Sequence, residues 1–217
     1  MNKLMKIVSD ALQIILTIII IICIYSFISL NILGKDYVNY FSYTVFSIGS
    51  NSMAPTITTN DLIIVKLTKN VEKGDIITFE APSKIYESWS ADQSNPIAIY
   101  DRESKGLVDK FLYNCLEITK TSYIKRVIAV SGEHVKIEDG HVYINGKLFE
   151  EPYLSDDVVT TSEVFYDFIV PEGYIFAMGD NRGASTDCRV LGCIPLEKIE
   201  GIVIYRFWPL NVLGKVD

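Results

Sequence analysis

The sequence has few residues of the kinds that usually activate a nucleophile or bind a metal: its 217 residues include only two histidines and four cysteines. No Cys-x-x-Cys motif accompanies the histidines, so nothing in the sequence suggests a zinc site. Basic residues are also scarce relative to acidic ones, with Lys+Arg 20 against Asp+Glu 27 and a net charge of −7. Because phosphate binding needs a basic face, this balance argues against nucleic acid as a partner.

Charge is missing altogether from residues 11–33, and the middle of this segment, Ile14–Ile22, is strongly apolar. A helix needs about 20 such residues to cross the hydrocarbon core of a bilayer, so the segment is predicted to be a transmembrane anchor. The alternative is a cleaved secretory signal peptide, whose apolar region spans only about 7–15 residues and ends in small residues. This segment is longer, and its exit, Ser29–Gly34, has no such pair of small residues, which favours an uncleaved anchor.

The charged residues that flank the anchor predict its orientation. They are Lys3 and Lys6 before it and Lys35 and Asp36 after it. Since the latter two nearly cancel, the positive-inside rule places residues 1–10 in the cytoplasm and residues 34–217 outside. The expected protein is therefore a single-pass cell-membrane protein with one extracytoplasmic domain, which is large enough to bury a core of its own.

The cysteines give little guidance. Cys23 lies in the anchor, where it is expected to be a small lipid-facing hydrophobe. The other three, Cys115, Cys188 and Cys193, make an odd number for a disulfide framework. Cys188 and Cys193 are near enough in sequence to pair, but spacing does not establish geometry, so a disulfide and two free thiols are both open.

Beyond the anchor, short runs of β-branched and aromatic residues alternate with turn signals. The predicted strands are Asp61–Leu67, Asp75–Phe79, Tyr123–Val130, His134–Ile137, His141–Ile144, Lys147–Phe149, Tyr174–Met178 and Gly201–Phe207. The dipeptides Asp139-Gly140 and Asn145-Gly146 supply the positive φ that tight hairpin turns require. Many short strands with close turns predict a mostly β domain, an antiparallel sheet or barrel, and not a βαβ fold.

Three segments carry residues suited to catalysis. They are Gly49–Thr56, Tyr123–Val127 and Gly179–Asp187. Serine is a weak nucleophile unless a neighbouring base removes its proton, and a desolvated neutral lysine can be that base. With no histidine or cysteine placed to help, a serine from the first segment and a lysine from the second suggest a Ser-Lys hydrolase.

Ser52 lies in a loop before a predicted strand, where its own amide can face a substrate carbonyl. Pro55 would rigidify this loop because proline fixes φ, and Met53 would give an apolar surface beside the scissile bond. Lys125 lies in an otherwise apolar strand, so burial would lower its pKa from about 10.4. Strand alternation sends Arg126 to the opposite face. Without the other motifs, Ser52 would be interpreted as an ordinary loop serine. Lys125 would be interpreted as a strand-edge lysine whose ammonium group reaches water.

These segments, in this order behind one anchor, resemble those of type I signal peptidases, and the block Gly179–Asp187 is the most specific part. The resemblance implies a serine endopeptidase that removes signal peptides from exported preproteins. It implies the bilayer and the secretion translocon as further partners, and no metal or cofactor. Within the site, Ser52 would be the nucleophile and Lys125 the general base, and the Ser50 hydroxyl and Ser52 amide would form the oxyanion hole.

The resemblance also implies contacts that support these residues. They are a hydrogen bond from Ser185 to Lys125, an ion pair between Asp187 and Arg189, and an ion pair between Asp180 and Arg126. The chain departs from the family pattern at Cys188, where a serine is common. The change is nearly isosteric and does not affect a reacting group.

A larger departure lies between the second predicted strand and the lysine strand. Short, single-anchor signal peptidases pass almost directly from one to the other, so residues 83–122 are interpreted as an insertion, either a flap or a partner surface. Glu87–Pro96 reads as a loop and Asp109–Leu116 as a helical turn. An apolar apron would hold the site at the membrane face; its candidates are Phe46, Met53, Phe207 and Trp208, of which the last two are better explained as core.

Two other functions fit the same residues. One is a related Ser-Lys protease dedicated to a single substrate, with residues 83–122 as its selector. The other is an inactive anchored β-domain that binds partners. The intact set of Ser52, Lys125, Ser185 and Asp187 argues against the inactive domain.

Overall fold

The computed structural model describes residues 3–28, 37–40, 42–101 and 120–216. The chain divides into two compact units, residues 1–38 and 39–217. Cys115 and the helical turn predicted for Asp109–Leu116 lie outside the described residues.

The first unit is dominated by helix α1, Lys3–Phe27. Its stretch Val8–Tyr25 is long and apolar enough to cross a membrane, and none of it is buried in the protein. A helix of 25 residues is about 37 Å long, which exceeds the hydrocarbon core of about 30 Å. The helix begins before residue 11, so it includes most of the segment predicted to precede the anchor.

The second unit is mostly β, and its strands pair antiparallel, as the turn pattern predicted. Strand β1 (Tyr37–Tyr40) includes the boundary at residue 38. The other strands are β2 (Tyr43–Ser47), β3 (Leu62–Lys66), β4 (Ile76–Glu80), β5 (Ser122–Val130), β6 (His134–Glu138), β7 (His141–Ile144), β8 (Lys147–Leu148), β9 (Asp167–Ile169), β10 (Tyr174–Met178), β11 (Ile194–Pro195) and β12 (Ile199–Trp208). One sheet has the order β1-β2-β3-β12-β4-β5-β10-β11, and a smaller one has the order β8-β7-β6-β9. A short helix, α2, covers Cys188–Leu191.

All eight predicted strands are present, with ends that differ by at most two residues. The prediction missed β1, β2, β9 and β11. Strands β9 and β11 have only three and two residues, too few to show an alternating pattern. Strand β2 does alternate, with Thr44 and Phe46 buried, but the polar and aromatic residues around it conceal the pattern.

Strand β5 is an interior strand of the larger sheet, where it lies between β4 and β10. Lys125 pairs with Ile77 of β4, and Arg126 pairs with Met178 at the end of β10. The segment that follows β10 therefore begins beside the two basic residues of β5. This register brings Gly179 and Asp180 to the lysine strand.

Residues 83–101, the larger of the two described parts of the predicted insertion, pack against the domain. Their backbone joins that of Cys193 through a parallel bridge at Ile97, and the Ala98 N–H donates to the Cys193 carbonyl at 2.9 Å. The Tyr86 ring meets the edge of Phe165, with ring centroids 5.1 Å apart. Residues 83–101 therefore contact the domain through backbone hydrogen bonds and an aromatic contact.

Candidate active site

The loop between β2 and β3 carries Ser52 and is closed at its base by backbone hydrogen bonds. The Ile48 N–H donates to the Asp61 carbonyl at 3.0 Å, and the Asn60 N–H donates to the Ile48 carbonyl at 2.8 Å. Asp61 is buried and its carboxylate accepts from the Thr58 N–H at 2.9 Å. The loop is therefore fixed from within, and Ser52 occupies a buried position in it.

Lys125 reaches this loop from β5 and contacts the serine directly. Its Nζ donates to Ser52 Oγ at 2.9 Å and to the carbonyl oxygen of Ile124 at 2.7 Å. Burial lowers the pKa of Lys125 to about 8, and the nearby carboxylate of Asp187 opposes this effect in part. A lysine with this pKa is neutral in an appreciable fraction of molecules at mildly alkaline pH, so it can accept a proton.

Two potential hydrogen-bond donors lie next to the Ser52 hydroxyl, the Ser50 hydroxyl and the Ser52 backbone amide. The hydroxyl oxygen of Ser50 is 3.3 Å from Ser52 Oγ, and Ser50 is exposed to solvent. Among the described residues the Ser52 amide donates to no acceptor. This pair has the composition of an oxyanion hole, one side-chain hydroxyl and one backbone N–H.

The opposite face of β5 holds Arg126 in an ion pair. Its Nε and Nη2 donate to the two carboxylate oxygens of Asp180 at 3.0 and 2.8 Å, and its Nη1 donates to the Gly74 carbonyl at 3.0 Å. Asp180 in turn accepts from Thr56 Oγ1 at 2.6 Å. Because Thr56 belongs to the serine loop, this chain of contacts ties the loop to the strand that carries Lys125.

A second buried ion pair supports the segment after β10. Arg189 donates from Nε and Nη2 to the two oxygens of Asp187, both at 2.9 Å. Asp187 is fully buried and also accepts from the Gly179 N–H at 3.0 Å. The structure thus contains both ion pairs that the resemblance implied, and each of them fixes one side of the segment that follows β10.

Ser185 does not make the contact expected of it. Its hydroxyl is buried but has no hydrogen-bond partner among the described residues, because Lys125 donates to Ile124 and Ser52 instead. The Ser185 hydroxyl still lies in the site. A β-carbon added to Gly179 would meet Ser185 Oγ at 2.2 Å and the Ser52 carbonyl oxygen at 2.4 Å. Only glycine fits between these two serines.

The residues predicted to face a substrate or the membrane are placed differently from expectation. Met53 is fully buried, so it offers no surface beside the scissile bond, and Phe46 is also core. Pro55 is exposed at the tip of the loop. Trp208, expected in the core, is 49% exposed, and Phe207 is half-buried. Trp208 is the last residue of strand β12 and pairs with Leu62 of β3.

The two cysteines whose pairing the sequence left undecided are free thiols. Cys188 and Cys193 are both buried and unbridged. Burial raises the pKa of each thiol, so both are protonated and unreactive at neutral pH.

Sequence reasoning missed two other ionic contacts around the site. Arg206 of β12 donates to the Thr56 carbonyl at 2.9 Å and to Asp61 at 3.1 Å, and so holds the serine loop from a third side. Arg182 is buried and forms a two-pronged ion pair with Glu151. In both cases a buried arginine requires a carboxylate partner, but the sequence does not indicate which carboxylate this is.

Comparison with known proteins agrees with this geometry. The family model described as signal peptidase, peptidase S26, matches residues 9–208. Signal peptidase IB of Staphylococcus aureus is 28% identical over 205 residues, which cover 86% of each chain. The probable signal peptidase I-2 of Synechocystis is 30% identical over 171 residues, 77% of this chain and 64% of that one.

Two further comparisons differ in extent. Thylakoidal processing peptidase 1 of Arabidopsis thaliana is 28% identical over 167 residues, 75% of this chain but 41% of that one. The chain thus spans about two fifths of the length of the Arabidopsis relatives it matches. A crystal structure of a signal peptidase I from Enterococcus faecalis V583 is 25% identical, covers 61% of this chain and 96% of that one, and has a TM-score of 0.39.

Proposed function

The chain belongs to the signal peptidase family, peptidase S26, and from that premise we propose that it is a membrane-anchored serine endopeptidase that removes signal peptides from exported preproteins. The observation that carries this proposal is the direct contact of Lys125 Nζ with Ser52 Oγ at 2.9 Å. A binding domain does not require a buried lysine beside a buried serine hydroxyl. A Ser-Lys protease does, because the lysine must accept the proton of the serine nucleophile.

In the first half of the reaction, neutral Lys125 takes the proton of Ser52 Oγ while that oxygen forms a bond to the scissile carbonyl carbon. The carbonyl oxygen becomes an oxyanion, which accepts hydrogen bonds from the Ser50 hydroxyl and the Ser52 amide. When the carbon–nitrogen bond breaks, the proton on Lys125 passes to the leaving amine of the mature protein. Each oxyanion donor is worth about 3–4 kcal/mol of transition-state stabilisation.

The second half of the reaction releases the signal peptide. The ester between Ser52 and the peptide is attacked by water, whose proton Lys125 accepts as it did from Ser52. The ester bond to Ser52 Oγ then breaks, and the proton returns to this oxygen. No metal or cofactor takes part in the steps proposed here.

Substrate choice would come from shallow apolar subsites that admit only small side chains at the first and third positions before the cut. Met53 is fully buried, so it would shape such a subsite only from behind the residues that face the substrate. Pro55 is exposed in the same loop, so its ring is an apolar surface that a substrate can contact.

For the location, we propose one membrane span with a cytoplasmic N-terminus and an extracytoplasmic catalytic domain. The length and composition of α1 support the span, and the flanking lysines support the orientation. The C-terminal end of the second unit supports contact with lipid, because it exposes an apolar cluster. Its members are Trp208, Leu210, Val212 and Leu213.

The test of the function uses the full chain in detergent, as wild type and as Ser52→Ala, with a generic preprotein as substrate and mass spectrometry of the products. The proposal predicts cleavage after a small-x-small site by the wild type alone. Cleavage by both proteins would remove Ser52 from the mechanism. No cleavage by the folded wild type would contradict a general signal peptidase.

A protease dedicated to a single substrate is the second candidate function, because the predicted insertion exposes large apolar side chains. Trp89 is 82% exposed and Ile85 is 57% exposed, which suits a surface that selects one protein. A panel of unrelated preproteins separates the two functions. Similar cleavage of all of them by the wild type and by Trp89→Ser would argue against the selector.

A further inference from the structure

Asn181 contacts the backbone on both sides of Ser52. Its side-chain Nδ2 donates to the Asn51 carbonyl oxygen at 3.1 Å, and its backbone N–H donates to the Ser52 carbonyl oxygen at 3.1 Å. These two oxygens belong to the two peptide groups that flank the Ser52 α-carbon. One residue therefore holds the serine backbone from both directions.

The side chain of Asn181 has no local task that would explain its position. Asparagine at such a turn commonly bonds its own backbone, and Asn181 precedes the short 3-10 helix Arg182–Ala184, yet it makes no side-chain cap on that helix. Its amide must present the nitrogen to Asn51, because a carbonyl oxygen can only accept. The hydrogen bond to Asn51 is thus a long-range contact with the serine loop.

Peptide planarity turns this contact into an effect on catalysis. The Asn51 carbonyl and the Ser52 N–H belong to the same rigid peptide group and point in opposite directions. A donor that fixes the carbonyl oxygen therefore also fixes the direction of the N–H. This N–H has no acceptor among the described residues. The carbonyl oxygen of the same peptide group accepts there from Asn181 Nδ2 and from the Ala54 N–H, the latter at 3.1 Å. Asn181 is the donor that comes from outside the serine loop.

We propose that Asn181 is a positioning residue that orients the Ser52 amide toward the substrate oxyanion. The inference rests on the proposed function, in which this amide is one of the two oxyanion donors. Asn181 acts through the backbone and touches no reacting atom. Its loss should therefore affect the transition state, in which the oxyanion forms, more than the binding of the substrate.

The variants are Asn181→Ala, which removes the donor, and Asn181→Asp, which keeps the shape but sets a carboxylate against the Asn51 carbonyl. Removing a whole oxyanion donor lowers kcat by about 10²–10³, and a donor that is present but no longer held should lose part of that. We expect kcat to fall by about tenfold to hundredfold, with KM changed by less than about twofold. The Lys125 ionisation in the pH profile should stay in place.

Thr59→Val is the matched control. Thr59 Oγ1 donates to the side-chain oxygen of Asn51 at 2.8 Å, so this change removes a hydrogen bond from the same residue without touching its peptide group. The Thr59 N–H continues to donate to that side chain at 3.0 Å. We expect kcat, KM and the thermal unfolding temperature of the control to match those of the wild type.

A second readout does not depend on cleavage. Asn51-Ser52 is the only Asn-Ser dipeptide in the sequence, so asparagine labelled with ¹³C at the carbonyl and serine labelled with ¹⁵N give one doubly labelled peptide bond. In the full chain in detergent, its amide resonance should shift in both Asn181 variants and stay in place in Thr59→Val.

An unchanged resonance in folded Asn181→Ala and Asn181→Asp would overturn the inference, and so would a wild-type kcat in both. If the wild type itself cuts no preprotein, the proposed function fails. The amide resonance then still decides whether Asn181 orients this peptide group.

Discussion

Lys125 and Arg126 are neighbours in one strand and are both only 3% exposed. The groups that they contact on the two faces of the sheet differ in charge. Arg126 meets a carboxylate, Asp180, which binds it with two hydrogen bonds. Lys125 meets a hydroxyl and a carbonyl oxygen. No carboxylate lies within ion-pair distance of its ammonium in the described part of the chain.

The comparison shows how one strand supplies both a structural cation and a base. A buried cation that is paired with a carboxylate is stabilised in its charged form, whereas one that faces only dipoles is driven toward its neutral form. The nearest carboxylates to Lys125 are committed elsewhere, Asp180 to Arg126 and Asp187 to Arg189. The two arginines therefore keep these carboxylates from pairing with the lysine.

The largest expected effect is on catalysis from the Lys125 face. Lys125→Met keeps the length of the side chain and removes the base, and a general base contributes about 10²–10⁴-fold to the rate. We expect preprotein cleavage to fall by about 10³-fold or more, measured in single-turnover reactions. Arg126→Lys retains Lys125 and should keep measurable activity. A Lys125→Met rate within about tenfold of the wild type would exclude lysine as the base.

The same substitution on the other face should instead act on stability. Arg126→Met leaves the Asp180 carboxylate buried with Thr56 as its remaining side-chain donor, and breaking a buried pair in this way costs about 3–5 kcal/mol. Urea unfolding of the full chain in detergent measures the loss. Arg126→Met combined with Asp180→Asn removes both charges and should recover most of the stability. A loss below about 1 kcal/mol in the single variant would show that the pair is not needed for folding.

Lys125→Met should stabilise the fold, which is the reverse of the effect on the Arg126 face. Burial lowers the pKa of Lys125 from 10.5 to about 8, so below pH 8 the folded protein carries a buried charge that costs about 3 kcal/mol. Between pH 8 and 10.5 the folded state loses this proton before the unfolded state does, so the cost declines with rising pH.

The unfolding free energies of wild type and Lys125→Met, compared by urea denaturation from pH 7 to pH 9.5, test this directly. Methionine should be more stable at pH 7, and its advantage should shrink toward pH 9.5. A constant difference over this range would mean that Lys125 does not titrate near pH 8. A wild type that is the more stable protein at pH 7 would contradict the cost of the buried charge.

The two charged pairs of the site were expected from the resemblance to type I signal peptidases, and burial explains in physical terms why such pairs form. A cation in an apolar strand must lose its proton or find a carboxylate, and a Lys-Arg pair in a strand must divide between the two faces. The strand that carries Lys125 and Arg126 was also predicted, because it is a short run of apolar and β-branched residues. The division of Lys125 and Arg126 between the two faces follows from local pattern alone, whereas the partner of each arginine was expected from the resemblance.

Loop geometry was not predictable in the same way, since contacts between distant parts of the chain determine it. The hydrogen bond from Thr56 to Asp180 joins residues 124 positions apart, and nothing local indicates it. The same holds for Met53, which the fold buries completely, and for Ser185, whose hydroxyl lies beside Gly179 and not on Lys125. Trp208, the last residue of β12, is 49% exposed, and nothing in the local sequence indicates this either.

The smallest expected effect is the pH dependence of the rate, and it tests the Lys125 face without any substitution. The base must be neutral, and its pKa is about 8. The cleavage rate should therefore rise about tenfold per pH unit below pH 8 and level off above it. Arg126→Lys is the control, because a change on the opposite face should leave the midpoint near pH 8. Single-turnover rates from pH 6 to pH 9.5 measure the profile. A flat profile with chemistry rate-limiting would mean that the group accepting the Ser52 proton is not the lysine that burial has prepared.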